Sequence, residues 1–461
     1  MLRIVFLLSA LIAIPPASAS TPEERLAQAV RIPTISNQDP ALADREAFTA
    51  FKQFLESTYP SVFEQLEAEW VNEFSLLLIW PGSDAGAGAI LFTAHHDVVP
   101  VEPGTEDDWT HPAFDGVIAD GRIYGRGTLD DKIGVIGLLE AVERLLAEGF
   151  APRKTIVLGF GHDEEVSGAN GAAALAARMQ EKGLKFDWMV DEGGYVITGN
   201  PLLPNDSMAM INIAEKGYTT LTLTATGEGG HSSNPPAIST IGRLSRALDK
   251  LEQNPFPPRI SDPMRQMFAA LAPHMEQPER FLFSNLWLSE GIIADQMTAD
   301  RVTAPMVRTT TALTMFNAGI KENVVPQRAE AKVNFRLLPG DTVETVIEHV
   351  RQTINDDQIV ITSSPWTGMP GTASTESEGY QAIARAIADT YTDAITVPSM
   401  LMATTDTRHY TELATDQYRF HGAEMDYTQT SSIHGTDEWV SIEGFHKSID
   451  VAVGMMRYGA Q

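Results

Sequence analysis

Apolar runs alternate with helix-like stretches from residue 76 to 192, the pattern of an α/β domain. Residues 89–94, 155–160 and 186–190 read as strands buried on both faces, and 134–148 and 171–181 as helices between them. Each strand runs into polar residues: His95 after the first, Glu164 and Glu165 after the second, Asp191 after the third. These positions fall at the carboxyl ends of the strands, where open α/β sheets build their sites. The pattern changes after about Glu215. Thr220, Thr222, Thr224 and Thr226 alternate with Leu221, Leu223 and Ala225, the period of two expected of a strand with one wet face. A helix over 240–251, strands over 308–315 and 328–337, a helix over 343–354 and a strand over 358–363 complete a split βαβ order. That order predicts a four-stranded antiparallel sheet with helices on one face, inserted in the first domain. Residues 254–305, rich in proline and methionine, read as a helical excursion whose periodicity does not say what it packs against. Helices over 376–390 and 441–458 return the chain to the first domain.

The expected division is 1–19 as a leader, 20–214 and 367–461 as the two parts of the catalytic domain, and 215–366 as an inserted lid domain. A length of 461 residues fits two cores better than one. In the leader, Arg3, an apolar run over 4–14 and Ala17-Ser18-Ala19 have the pattern of a secretory signal, so the protein is expected to be exported, to the periplasm or beyond. The apolar run is shorter than the roughly 20 residues that span a bilayer, so no stable membrane insertion is expected. A formal net charge of −28 argues against nucleic-acid and anionic-membrane partners, because such a surface repels phosphate. With no cysteine in the chain, a metal must be held by histidine and carboxylate.

Five spaced pieces carry candidate chemistry. His95-His96-Asp97 places an imidazole at a strand end and a carboxylate two residues on, on the same side. A His-X-Asp there is also common as ordinary hydrogen-bonded structure, and His96 and His162 read as packed or surface histidines. Gly125-Arg126-Gly127-Thr128-Leu129-Asp130-Asp131-Lys132 is a glycine-rich turn into a helix, whose acids alone could be capping residues. In Gly161-His162-Asp163-Glu164-Glu165 the adjacent carboxylates must point apart, and two uncompensated buried carboxylates call for a cation. Val190-Asp191-Glu192-Gly193-Gly194 follows at a strand end, and Ser432-Ile433-His434-Gly435-Thr436-Asp437-Glu438 comes far along the chain.

In this order, the five pieces resemble the ArgE/DapE, aminoacylase and Gly-Xaa carboxypeptidase family of di-zinc metallopeptidases. Trp109-Thr110-His111-Pro112 and Ile123-Tyr124-Gly125-Arg126-Gly127 extend the match. The resemblance implies a zinc-exopeptidase-like α/β catalytic domain with a mixed central sheet, plus an inserted α+β lid or dimerisation domain. It makes Asp130 a carboxylate bridging two Zn2+, with Co2+ or Mn2+ as substitutes. His95 and Asp191 would complete one ion, and Glu165 and His434 the other. Asp97 would orient His95, Glu164 would be the general base, and His231 in Gly229-Gly230-His231-Ser232-Ser233 would stabilise the oxyanion, in relatives often from a partner subunit. Asn323 and Arg336 match lid positions that contact substrate, a structural salt bridge being an equal rival for Arg336. Thr405-Asp406-Thr407-Arg408-His409-Tyr410 is similar to the Gly-Xaa carboxypeptidase and secreted N-acyl-amino-acid hydrolase branch, and an arginine there can grip a carboxylate with two hydrogen bonds. Many relatives have glycine just before this Thr-Asp pair, where this chain has Ala403 and Thr404. The implied activity is hydrolysis of a peptide or N-acyl bond next to a free C-terminal amino acid, with homodimerisation through the lid left open. A related di-zinc aminopeptidase is one rival, although such enzymes usually lack the inserted sheet. A catalytically inactive scaffold is another, opposed by the retention of Glu164 and all five ligand positions.

Overall fold

The computed structural model describes residues 20–364 and 369–461. The leader over 1–19 and the domain junction at 366/367 lie outside the described residues. Strands Ala89–His95, Thr155–Gly161 and Phe186–Asp191 lie side by side and parallel at the centre of a ten-stranded mixed sheet. Their side chains alternate between two apolar cores. Ile90, Phe92, Ile156 and Leu158 pack against helices Lys132–Ala147, Glu378–Thr390 and Ile442–Gly459. Leu91, Val157 and Met189 face the other way, onto helix Ala172–Glu181. Helices on both faces are why these runs are apolar throughout rather than alternating with polar residues.

Strands Glu67–Val71 and Ser75–Trp80 add an antiparallel edge on one side. On the other, Ala414–Arg419 and Ser207–Glu215 extend the sheet, and Ala394–Leu401 runs parallel to Ser207–Glu215. The sequence pattern identified none of these five strands, and also missed the amino-terminal helices Pro22–Val30 and Arg45–Thr58.

A separate antiparallel sheet has the order Thr310–Ala318, Arg328–Leu337, Gly217–Thr226, Ile359–Ser363. Leu221, Leu223 and Ala225 point onto helices Thr240–Gln253 and Val343–Ile354, while the intervening threonines lie on the other face. The expected split βαβ order is therefore present, with its second strand running on to Ala318. The excursion is helical, led by Asp262–Leu271 and Leu286–Thr298. It packs on the outer strands of the central sheet: Met264, Met267, Phe268 and Ile293 share a core with Met208, Ala214, Val397 and Met400. Among the described residues no helix is long and apolar enough to cross a membrane.

Candidate active site

The three parallel strands end on the same edge of the sheet, and their last residues carry the site. His95 closes its strand with the imidazole fully enclosed. Its Nδ1 lies 3.0 Å from the carbonyl and 3.3 Å from the Oδ1 of Asp97, which leaves Nε2 facing Asp130 Oδ1 at 3.0 Å. The other oxygen of Asp130 lies 2.9 Å from Nε2 of His434. Each oxygen of one carboxylate thus faces a different histidine. His434 Nε2 also lies 3.1 Å from Glu165 Oε1, so Asp130, Glu165 and His434 converge on one point.

On the His95 side the third member is Glu192, and not Asp191 as the motif suggested. Asp191 is the last strand residue, and Thr93 on the adjacent strand donates to its Oδ1 at 2.8 Å, holding the side chain down in the sheet. Glu192 is the first residue past the strand end and overhangs the site as His95 does, with Oε1 3.5 Å from His95 Nε2.

Electrostatics in this cluster follow from crowding acids together. Burial, the neighbouring Glu192 and then Asp406 push the carboxyl of Glu164 well above its ordinary range. Burial and Asp130 raise Glu165 to about 6. Burial alone would also raise Asp130, but hydrogen bonds to His434 and His95 outweigh it and hold Asp130 ionised. Bonds to Asp130 and Glu165 push His434 up to about 10. Nitrogen and oxygen donors in two groups that share Asp130 suit a pair of divalent ions of the zinc type, so the donor set fits the metal that the motifs imply.

Asp97 does more than orient His95. Its two oxygens accept the backbone N–H groups of Glu164 and Glu165 at 3.1 and 3.2 Å, tying the acid turn to the His95 strand end. Glu438, quoted in the last motif but given no role there, is fully buried. Oε1 accepts from Gly127, Leu129 and Asp130 N–H, and Oε2 pairs with Arg126 at 2.6 Å, fixing the loop that presents Asp130. Asp131 Oδ2 accepts from His95 N–H, and its Oδ1 lies 3.1 Å from His421 Nε2. No local pattern marks His421 or Glu438, because their partners lie about three hundred residues away in the chain.

Of the expected substrate and oxyanion residues, Arg336 lies within reach of the charge of Arg408, and His231 and Asn323 are not part of the cluster. Arg336 sits directly across from Tyr218 in the antiparallel register and lies over its ring, 4.9 Å from the centroid. Burial destabilises its cation, Tyr218 offsets part of this and the charge of Arg408 adds to it, and no carboxylate pairs with Arg336 among the described residues. The salt-bridge alternative for Arg336 thus has no partner among the described residues. Arg408 is buried and donates Nη2 to Ser167 O at 2.8 Å, one residue beyond the turn Glu164–Val166. His231 is exposed on a two-stranded ribbon, paired with Val324, and its Nδ1 bonds Ser233 Oγ at 2.7 Å. Asn323 is exposed beside it and accepts from Ser232 N–H. Among the described residues no hydrogen bond or ion pair joins His231 or Asn323 to the acid cluster.

A mixed sheet covered on both faces, with a histidine and acid cluster at its strand ends and a second antiparallel sheet, defines a metallohydrolase of the two-sheet exopeptidase class. The chain belongs to peptidase family M20/M25/M40, whose model matches residues 91–458. It is 38% identical over 433 residues to a probable carboxypeptidase S-like 2 from Dictyostelium discoideum, covering 93% of this chain and 83% of that one. It is 36% identical over 435 residues to the N-fatty-acyl-amino acid synthase/hydrolase PM20D1 of Mus musculus, covering 93% and 85%. The crystal structure of an M20 family metallo-carboxypeptidase from Sulfolobus solfataricus shares the fold, with a TM-score of 0.70 at 19% identity over 96% of this chain and all of that one. The protein is a carboxypeptidase-like metallohydrolase of this family.

Proposed function

We propose that this protein is an exported, two-zinc amidohydrolase that cleaves the peptide or N-acyl bond preceding a free C-terminal amino acid. The observation that carries the substrate reading is Arg336. It is a half-buried guanidinium lying on Tyr218, without a carboxylate partner among the described residues, and it feels the charge of Arg408, which itself bonds to Ser167 O just past the Glu164 turn. An unpaired cation in such a place is costly unless a ligand supplies the anion. The carboxypeptidase-like and acyl-amino-acid relatives are named for substrates or products that carry this group. Export rests on the secretory pattern of the first 19 residues, and the lid reading of 215–366 on the separate four-stranded sheet.

In this reading Asp130 would be shared by two ions, one held also by His95 and Glu192 and the other by Glu165 and His434. Such ions, when bound, act as Lewis acids and bring the pKa of water down to about 7. The protein's own part is to hold the substrate and move one proton. Arg336 binds the terminal carboxylate, which places the scissile carbonyl carbon over the cluster. Glu164 takes a proton from the attacking water as the new C–O bond forms. It then delivers that proton to the leaving amine as the C–N bond breaks.

Two results check this reading. Amidating the substrate's carboxylate removes the charge and one arm of a two-pronged bond, at about 1.5 to 3 kcal/mol for a charged hydrogen bond. Catalytic efficiency is expected to fall by roughly tenfold to a hundredfold. Arg336→Met is expected to lose the preference for the free acid. Equal efficiency of the wild-type protein on both substrates would move the assignment toward an aminopeptidase. For the ligand set, Glu192→Gln is expected to shed about one metal ion per chain on dialysis, while Asp191→Asn keeps both. The reverse pattern in metal analysis would restore Asp191.

A further inference from the structure

The turn Glu164–Val166 ends at Ser167, whose φ of 100° is one that a serine rarely adopts. Such a conformation persists where its surroundings hold it. Here two donors meet on the Ser167 carbonyl: Arg408 Nη2 at 2.8 Å and His409 Nε2 at 3.0 Å. A carbonyl only accepts, so His409 carries its hydrogen on Nε2.

The surface beneath them is made of glycine. A Cβ on Gly168 would come within 2.1 Å of Asp406 Oδ1 and 3.1 Å of His409 Nε2, and one on Gly161 would lie 3.2 Å from Asp406 Oδ2. The short helix Asp406–Tyr410 therefore fits into a notch that a larger residue would fill. It is also anchored from behind. Glu215 Oε2 accepts from Thr405 N–H and Oγ1, from Thr407 Oγ1 and from Arg419 Nε. Both Glu215 and Arg419 are fully buried, and Arg419 in turn donates to Thr407 Oγ1. Breaking such a buried pair leaves an uncompensated charge, so the element they hold stays in one place.

We infer that the 405–409 segment is a positioning element for Glu164, and that His409 is a positioning residue acting through the Ser167 carbonyl. The inference rests on Glu164 being the general base. His409 bonds to none of the metal-group residues; its contacts are Ser167 O and, at 3.8 Å, Asp406 Oδ1. The turn that its removal should loosen carries Glu164 and, beside it, Glu165 of the second donor group. A base displaced by about 1 Å costs up to about a hundredfold in rate.

The test uses the full-length, zinc-loaded protein with a free-acid N-acyl amino acid. His409→Phe keeps a ring and removes the donor, and His409→Gln returns an N–H. We expect His409→Phe to lower kcat by about tenfold to a hundredfold, with KM within about twofold of wild type. His409→Gln should stand within about threefold of wild-type kcat. Gly168→Ala, whose Cβ would press first on Asp406 Oδ1 and then on His409 Nε2, should likewise lower kcat, and it decides the matter if His409→Phe does not fold. Unchanged kcat in His409→Phe overturns the inference. So does a joint loss of kcat, KM and metal that His409→Gln does not relieve. Failure of the underlying base assignment shows elsewhere, as full activity in Glu164→Gln.

Discussion

Glu164→Gln is expected to lower turnover by about a hundredfold or more while leaving close to two metal ions per chain. Glutamine keeps the size of the side chain and the backbone N–H that Asp97 accepts, so the turn should stay in place. What it lacks is a basic oxygen, and loss of a positioned general base typically costs 10²- to 10⁴-fold. Because Glu164 is absent from both metal groups, occupancy should not change. Single-turnover rates and metal analysis on the same preparation separate the two quantities. Retained turnover would remove Glu164 from the mechanism and leave the proton to another group.

Removing Asp130 should be more destructive. Its two oxygens lie 3.0 and 2.9 Å from the imidazoles of His95 and His434, so both donor groups lose a member at once in Asp130→Ala. Both ions are expected to dissociate on dialysis, and activity to fall with them below detection. His434→Ala, which disturbs only the group with Glu165, should shed about one ion. The comparison is informative because crowded carboxylates without a cation repel one another. Asp130→Ala relieves part of that repulsion, so the protein should remain folded, by circular dichroism, while losing metal. Full occupancy of both sites in Asp130→Ala would end the bridging assignment.

Glu438 and Asp97 explain why conservative changes away from the metal groups should also matter. Glu438 gathers three backbone N–H groups of the Asp130 loop onto one oxygen, and Asp97 gathers those of Glu164 and Glu165. The site is thus held mainly by buried carboxylates that accept from the main chain, and the acids that face the reaction are carried on those loops.

The sequence by itself determined the three central strands of one sheet and the four of the other, the strand ends where the site lies, and the kinds of atom available to a metal. Apolar runs buried on both faces, and threonines alternating with leucines, leave one periodicity each and hence one sheet type each. The motif residues were legible because a strand end displays its last side chains whatever surrounds it. Tertiary structure decided the rest. Whether Asp191 or Glu192 joins His95 depends on Thr93 of a neighbouring strand, which no local pattern encodes. Helices over 262–307 announce an apolar face, but that face could be covered by either sheet, and only packing assigns it to Met208, Val397 and Met400. The clamp of His409 on Ser167, and of Glu215 on Thr405 and Arg419, joins residues about two hundred positions apart. Periodicity reports which side of an element avoids water; the partner it finds there is fixed by the fold as a whole.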